Sequence, residues 1–114
     1  MYDQSLPEVA RFRFGQFELD TARYELLRKG RRVKIERIPM DLLLLLLERS
    51  GTIVSRDEIA HRLWGKDTFV DTGNNINAAV RKIRQALRDL PDRPKFLQTI
   101  TGRGYRFISP VASS

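Results

Sequence analysis

Apolar residues recur with the spacing of an α-helix over residues 74–90. At about 100° per residue, one side of this helix collects Ile76, Val80, Ile83, Leu87 and Leu90. The opposite side carries a slim row made of Asn74, Ala78, Arg81 and Gln85. Flanking this row are Asn77, Lys82 and Arg88. The pattern predicts a helix with one face in the core and the other open to a partner.

The polar row contains the side-chain types that bind the edges of DNA bases. Arginine can donate two hydrogen bonds to guanine, and asparagine or glutamine can bond adenine twice. An α-helix also fits the major groove of a duplex. A basic amphipathic helix is more often only a solvated surface helix, so the assignment depends on the rest of the chain.

The segment 11–36 begins with alternating aromatic and polar residues, which is the pattern of half-buried strands. Further short β-like runs follow, separated by turn-forming residues. The segment therefore predicts a small antiparallel sheet of three or four strands. We expect acids nearby to balance its basic residues, which are Arg11, Arg13, Lys29, Arg31 and Arg32.

Two helices are predicted in the middle of the chain. A block of leucines at 42–47 predicts the central core helix. Pro39 can open that helix, because the first helical position needs no N–H donor, and Gly51 can end it. Ser55 and Glu58 form a capping box that starts the second helix.

The end of the chain predicts a β-hairpin with a basic tip. Strand-like runs at 96–101 and 105–108 flank Arg103, which stands between Gly102 and Gly104. The two glycines permit positive φ and a close backbone approach. A basic hairpin directly after a basic helix would let one module contact two grooves of a duplex.

The distribution of charge supports a polyanionic partner. The net charge is +7, with 21 basic and 14 acidic residues. Residues 1–71 carry 13 basic and 12 acidic residues, whereas residues 72–108 carry 8 and 2. A one-sided basic surface is typical of nucleic-acid binders. An acidic membrane surface could attract the same charge, but the chain lacks a broad apolar face to insert.

Composition argues against several other classes of protein. The chain has no cysteine and one histidine, so disulfides, thiolate catalysis and Cys- or His-rich metal sites are not expected. Its longest apolar run is far shorter than the roughly 20 residues of a membrane helix, and no signal peptide pattern opens the chain. Neither a catalytic set nor a phosphate-cradling loop is evident. We expect no enzyme activity, no cofactor, no metal and a cytoplasmic location.

These motifs resemble the winged helix-turn-helix DNA-binding domain of the OmpR/PhoB family of bacterial transcription regulators. The resemblance rests on SRDEIAHRLWG, NNINAAVRKIRQAL and TITGRGYRFI. DTFVD and RGYRF resemble the one-component CadC/ToxR-like branch. The resemblance implies an α+β fold with an N-terminal antiparallel sheet, three helices and a C-terminal β-hairpin wing. It implies a flexible lead at 1–10, the domain at 11–108 and a tail at 109–114.

The resemblance also implies roles for individual residues. The recognition-helix positions that face DNA in the family match Asn74, Ala78, Arg81, Lys82 and Gln85. The wing positions match Thr101, Gly102, Arg103 and Tyr105, with Thr99 beside them. Trp64 matches a position that touches the DNA backbone, and loop 65–73 matches a segment that meets RNA polymerase in some relatives. Relatives bind DNA as pairs. Departures at Asn74, Ala79 and Thr101 mean that base preference does not transfer.

The sequence therefore predicts sequence-specific binding of double-stranded DNA to regulate bacterial transcription. The residues predicted to bind DNA are the recognition-helix residues, the wing residues and Trp64 named above, together with Asn77 and Arg88. Two alternatives stay open, a winged-helix module that binds a protein such as RNA polymerase, and an RNA-binding domain. The first should expose an apolar or acidic face on the helix, and the second should present aromatic rings for stacking.

Overall fold

The computed structural model describes residues 11–65 and 72–114. The helices are α1 (Arg37–Glu48), α2 (Arg56–Trp64) and α3 (Thr72–Leu87). The strands are β1 (Arg11–Phe14), β2 (Phe17–Asp20), β3 (Glu25–Arg28), β4 (Arg31–Val33), β5 (Ile53–Ser55), β6 (Leu97–Ile100), β7 (Gly104–Phe107) and β8 (Ala112–Ser113). The predicted α+β fold is confirmed, with three helices in the described residues. The predicted lead at 1–10 lies outside them.

The chain divides into two compact units. The sheet unit runs to residue 34 and includes residues 110–114, and the helical unit covers 35–109. The sheet unit is antiparallel, with strand order β4-β3-β2-β1-β8. Residues assigned to a tail thus supply β8, which pairs with β1 through Phe12 opposite Ser113. This strand was missed because its small, exposed residues carry no apolar pattern.

The first helix begins earlier than its proline suggests. The structure places its N-cap at Glu36 and its first residue at Arg37, so the prediction that Pro39 opens it is wrong. Pro39 takes the third helical position, where an N–H would still lack an acceptor within the helix. The first i to i−4 bond runs from the Met40 N–H to the Glu36 carbonyl, at 3.0 Å. The leucine block is the predicted core, and Leu45 is 1% exposed.

The second helix begins at the predicted Ser55 cap, but the Glu58 carboxylate does not reach back to Ser55 as the predicted capping box requires, because it bonds Arg49 instead. The Ser55 hydroxyl accepts a hydrogen bond from the Glu58 N–H at 3.0 Å, and Gly65 ends the helix with φ at 78°. The Glu58 carboxylate accepts hydrogen bonds from the Arg49 guanidinium. This contact ties the start of α2 to the end of α1.

The third helix begins before Asn74 and ends well before Leu90. Arg88 adopts a left-handed conformation, with φ at 57°. The Asp89 N–H then bonds the Arg84 carbonyl at 2.8 Å, and the Arg88 N–H bonds the Gln85 carbonyl at 3.3 Å. This is a Schellman motif. It leaves Leu90 53% exposed, so its predicted place on the core stripe is wrong, whereas the other four stripe residues are buried.

The wing belongs to a three-stranded sheet rather than a lone hairpin. Its strand order is β5-β7-β6, so the segment read from sequence as an extended link is an edge strand. Val54 pairs with Tyr105, and Ser55 pairs with Gly104. Ser55 is therefore both the last residue of β5 and the N-cap of α2, which joins the wing sheet directly to that helix.

A buried aspartate fixes the connection between α3 and the wing. Asp89 is 7% exposed. Its Oδ1 accepts from the Lys95 N–H at 2.7 Å, and its Oδ2 accepts from the N–H groups of Phe96 at 3.2 Å and Leu97 at 2.9 Å. One carboxylate thus satisfies three backbone donors where β6 begins.

None of the helices in the described ranges is long and apolar enough to cross a membrane. Those ranges also contain no group of three or more His, Cys, Asp or Glu residues that could hold a metal ion.

Candidate nucleic-acid interface

The outward face of α3 carries the predicted polar row. The row and its flanks are exposed at Asn74, Asn77, Arg81, Lys82, Gln85 and Arg88. Ala78 is half-buried within this row. The core stripe is buried on the other side, so the helix is held by its apolar face and presents its polar face outward. The amphipathic geometry expected from the sequence is confirmed.

The cations on this face are in different electrostatic settings. Within the described part of the chain, the Arg81 and Gln85 side chains make no hydrogen bond or ion pair. Lys82 contacts Glu36, with 2.7 Å between Nζ and Oε1. Both side chains are largely exposed, and exposed pairs contribute at most about 1 kcal/mol. Lys82 can therefore exchange this carboxylate for a phosphate at little cost.

One arginine that the sequence did not single out joins α2, α3 and the wing sheet. Arg56 donates from Nη1 to the Tyr105 hydroxyl at 2.9 Å. Its Nη2 donates to the Gly73 carbonyl at 3.0 Å and to Asn77 Oδ1 at 3.1 Å. The guanidinium carbon also lies 5.9 Å from the centre of the Tyr105 ring. This side chain fixes the start of α3 relative to β7.

A second arginine joins the other end of α3 to the wing sheet. Arg84 Nη2 donates to the Leu97 carbonyl at 2.9 Å and to Thr99 Oγ1 at 3.0 Å. Arg106 likewise donates to Gln98 within the sheet. Two of the cations counted in the basic segment 72–108 therefore serve the fold. No signal in the sequence separates them from the exposed arginines.

The wing residues divide into an exposed tip and a buried base. Thr101, Gly102 and Arg103 are exposed at the turn, as the predicted basic tip requires. Tyr105 is only 5% exposed, because it packs in the sheet and its hydroxyl accepts from Arg56. In the structure this side chain packs within the wing sheet, and its predicted contact with DNA stays a prediction.

A groove of about 250 Å³ lies beside the polar row, between α1, α2 and α3. Half-buried Trp64 lines it together with Ala78 and Lys82. This places Trp64 next to the outward face of α3, where the resemblance expects a backbone contact. Residues 66–71 of the loop 65–73 lie outside the described residues, so the expected polymerase contact there stays a prediction.

Comparison with known proteins identifies the family. The model of the family described as "Transcriptional regulatory protein, C terminal" matches residues 30–107. The chain belongs to this family. The match spans β4, all three helices and the wing sheet, so it covers the whole surface described above. Membership in this family of regulator domains confirms the resemblance drawn from the sequence motifs.

Similar proteins agree with this placement. The transcriptional activator protein IrlR of Burkholderia pseudomallei is 36% identical over 93 residues, which are 82% of this chain and 40% of IrlR. The structure of the Thermotoga maritima response regulator DrrB, an OmpR/PhoB homologue, has a TM-score of 0.78 and 28% identity, covering 87% of this chain and 44% of DrrB.

The DNA-binding domain of Escherichia coli CadC has a TM-score of 0.76 and 26% identity, covering 92% of this chain and 97% of that domain. This similarity supports the CadC/ToxR-like branch. The chain spans between 19% and 40% of the length of curated relatives such as CadC and IrlR.

Proposed function

We propose that this domain binds double-stranded DNA in a sequence-specific manner and thereby regulates bacterial transcription. The observation that carries the proposal is the exposed polar face of α3, anchored by its buried stripe and joined to a basic wing tip. A helix of this kind can enter the major groove, while Arg103 reaches the minor groove beside it. The proposed site of action is the bacterial cytoplasm.

The proposed contacts are of two kinds, those that bind the DNA backbone and those that distinguish one base from another. Lys82, Arg88 and Trp64 lie at the flanks of α3 or beside the groove, where phosphate contacts give affinity and orientation. Arg81 and Gln85 lie on the outward row, and their side chains bond no other residue of the described ranges. We expect these two side chains to bond base edges, where each bidentate contact contributes about 1–3 kcal/mol of discrimination.

The alternatives predict other surfaces. The outward row of α3 is basic and polar, whereas a protein-docking helix would present an apolar or acidic face. It also offers no aromatic ring for stacking on unpaired RNA bases. Contact of loop 65–73 with RNA polymerase and pairing of two domains on DNA are compatible additions to the proposed function.

The dependence of DNA binding on salt tests the proposal. Duplexes selected from random sequence by this domain provide the ligand. With about 4–6 phosphate contacts, the slope of log K against log salt should be about −4 to −5. Fluorescence anisotropy from low to moderate salt measures it. A slope near zero, or selection that enriches no sequence, would exclude sequence-specific duplex binding.

Substitution of neighbouring cations separates base discrimination from phosphate binding. Arg81→Ala should weaken the selected duplex by about 1–3 kcal/mol and relax preference at one base position. Lys82→Ala is the matched control, and it should weaken all duplexes alike and reduce the magnitude of the salt slope by about one. Binding to a set of single-base variants at several salt concentrations measures both effects. Exchanged outcomes would show that α3 is rotated differently in the groove.

A further inference from the structure

The sheet unit contains a cluster of cations far more concentrated than its strand pattern requires. We call residues 25–34, which form β3, its turn and β4, the basic hairpin. Five of the seven residues from 28 to 34 are basic. Arg32 pairs with Glu25, at 3.6 Å between Nε and Oε2. The others have no ion pair among the described residues, namely Arg28, Lys29, Arg31 and Lys34.

The expectation that nearby acids balance the basic residues of the sheet holds for some of these residues and fails for others. Arg11 and Arg13 both contact Glu18 on the neighbouring strand, so the expectation is confirmed for β1. It is confirmed for Arg32 but wrong for Lys29 and Arg31. Among the described cations of the sheet unit, Arg23 also lacks an ion pair, and the other uncompensated cations all lie in the basic hairpin.

The basic hairpin keeps this charge at a cost to its own stability. Arg28 and Arg31 are direct cross-strand partners, and like charges directly opposite each other are destabilising. Lys29 and Gly30 have φ at 52° and 79°, the positive pair that a type I′ turn requires and that asparagine followed by glycine adopts best. A bound anion would reduce the repulsion between Arg28 and Arg31. It would also explain why a lysine, Lys29, occupies a turn position that asparagine fits better.

The placement of the cations selects one kind of anion. Within residues 11–65 and 72–114, β4 is the outer strand of its sheet, so one of its edges lacks a β partner there. Strand alternation puts Arg31 and Arg32 on opposite faces of this edge, while Lys29 projects from the turn. The cations therefore lie on both sides of the strand edge and do not form one flat basic surface. An extended peptide can add to a sheet edge through backbone hydrogen bonds and place acidic side chains on both faces.

We propose that the basic hairpin docks an acidic, extended segment of a partner protein along the outer edge of β4. A duplex or a lipid surface would use only the charge and would leave the strand edge unpaired. The hairpin also exposes no large apolar side chain that could enter a membrane. Basic residues on an edge strand can discourage aggregation, but that role explains neither Lys29 in the turn nor Arg28 on the inner strand.

The test uses a variant that should bind less while folding better. The probe is a fluorescein-labelled peptide of alternating glutamate and threonine, and anisotropy measures its binding to the whole chain. Arg31→Glu replaces the like-charge pair with an attractive one, so the unfolding midpoint in urea should rise. Affinity for the peptide should fall by at least about tenfold, because one attraction is lost and one repulsion is added. Lys29→Asn should act in the same directions, with a smaller loss.

Arg13→Glu is the matched control, with the same change of charge at an exposed position of the same sheet. Because β1 has partners on both sides, this variant should bind the peptide within about twofold of the wild type. Amide exchange should show protection of β4 in the complex. None of these positions lies in the proposed DNA interface, so duplex binding reports separately on the proposed function.

Three results would overturn the proposal. The first is absence of peptide binding, which would leave the charge as protection of an edge strand. The second is an equal loss with Arg13→Glu and Arg31→Glu, which would indicate general attraction. The third is tighter binding, dependent on Arg31, to an unselected duplex or to vesicles of phosphatidylserine and phosphatidylcholine.

Discussion

Asp89→Ala is expected to lower the free energy of unfolding by about 3–5 kcal/mol. The carboxylate accepts from the three consecutive N–H groups that lead into β6. Alanine would leave these donors without an acceptor, and those of Phe96 and Leu97 are in buried hydrogen bonds. Each unsatisfied buried donor costs about 1–3 kcal/mol. Urea unfolding followed by circular dichroism measures the loss.

Asp92→Ala is the matched control for this prediction. Asp92 lies in the same connection but is exposed, so its loss should change stability by no more than about 0.5 kcal/mol. Asp89→Asn should fall between the two, because its amide keeps one acceptor oxygen but turns an NH₂ group toward the remaining donors. Equal stability of the Asp89→Ala and Asp92→Ala variants would show that the carboxylate does not hold the start of the wing sheet.

Gly104→Ala is expected to destabilise the helical unit by about 3 kcal/mol or more. A Cβ at this position would lie 2.0 Å from the Val54 carbonyl oxygen and 2.9 Å from the Ser55 Cα. These are backbone atoms of β5, so relief requires the strands to separate. The residue also has φ at 151°, which an alanine rarely adopts. Thermal and urea unfolding measure the loss.

Gly102→Ala is the control that separates the energetic cost of the Cβ clash with β5 from the cost of a positive φ. Gly102 has φ at 76° and no atom within 4 Å of a built Cβ. Its substitution should cost only the roughly 1–2 kcal/mol of a left-handed alanine. The Gly104→Ala variant should also bind the selected duplex less tightly at temperatures where it is folded, because the wing is displaced. Equal costs at the two positions would show that the close approach of β5 and β7 is not maintained in solution.

Local patterns predicted most of the elements of this fold. The strands of the first segment, the leucine helix, the Ser55 cap and the buried stripe of α3 all follow from the spacing of apolar residues and from capping chemistry. The end of α3 did not follow, because a left-handed arginine closes the helix where a glycine or asparagine is usual. The role of β5 did not follow either, since its pairing with β7 joins residues about fifty positions apart.

The outward face of the candidate site was predictable, but the contacts that position it were not. Exposed Arg81 and internally bonded Arg84 are three residues apart on one helix and look alike in sequence. Only the structure shows that Arg84 bonds the Leu97 carbonyl whereas Arg81 extends from the row. Asp89 likewise resembles a surface acid, and its burial depends on three donors that follow it at the start of the wing sheet.

Because α3 is attached to the wing sheet near both helix ends, the distance between the helix and the wing hairpin is fixed. Near one end, Arg56 of α2 bonds both the Gly73 carbonyl and the hydroxyl of Tyr105 in β7, and near the other end Arg84 bonds the Leu97 carbonyl. A partner whose groove spacing does not match this distance must itself deform, because the contacts within the protein hold the helix and the wing in place. On the proposed duplex, the energy of this deformation depends on how easily each base step bends or twists. Selectivity would then arise at base pairs that no side chain touches, from the mechanics of the DNA rather than from hydrogen bonds to it.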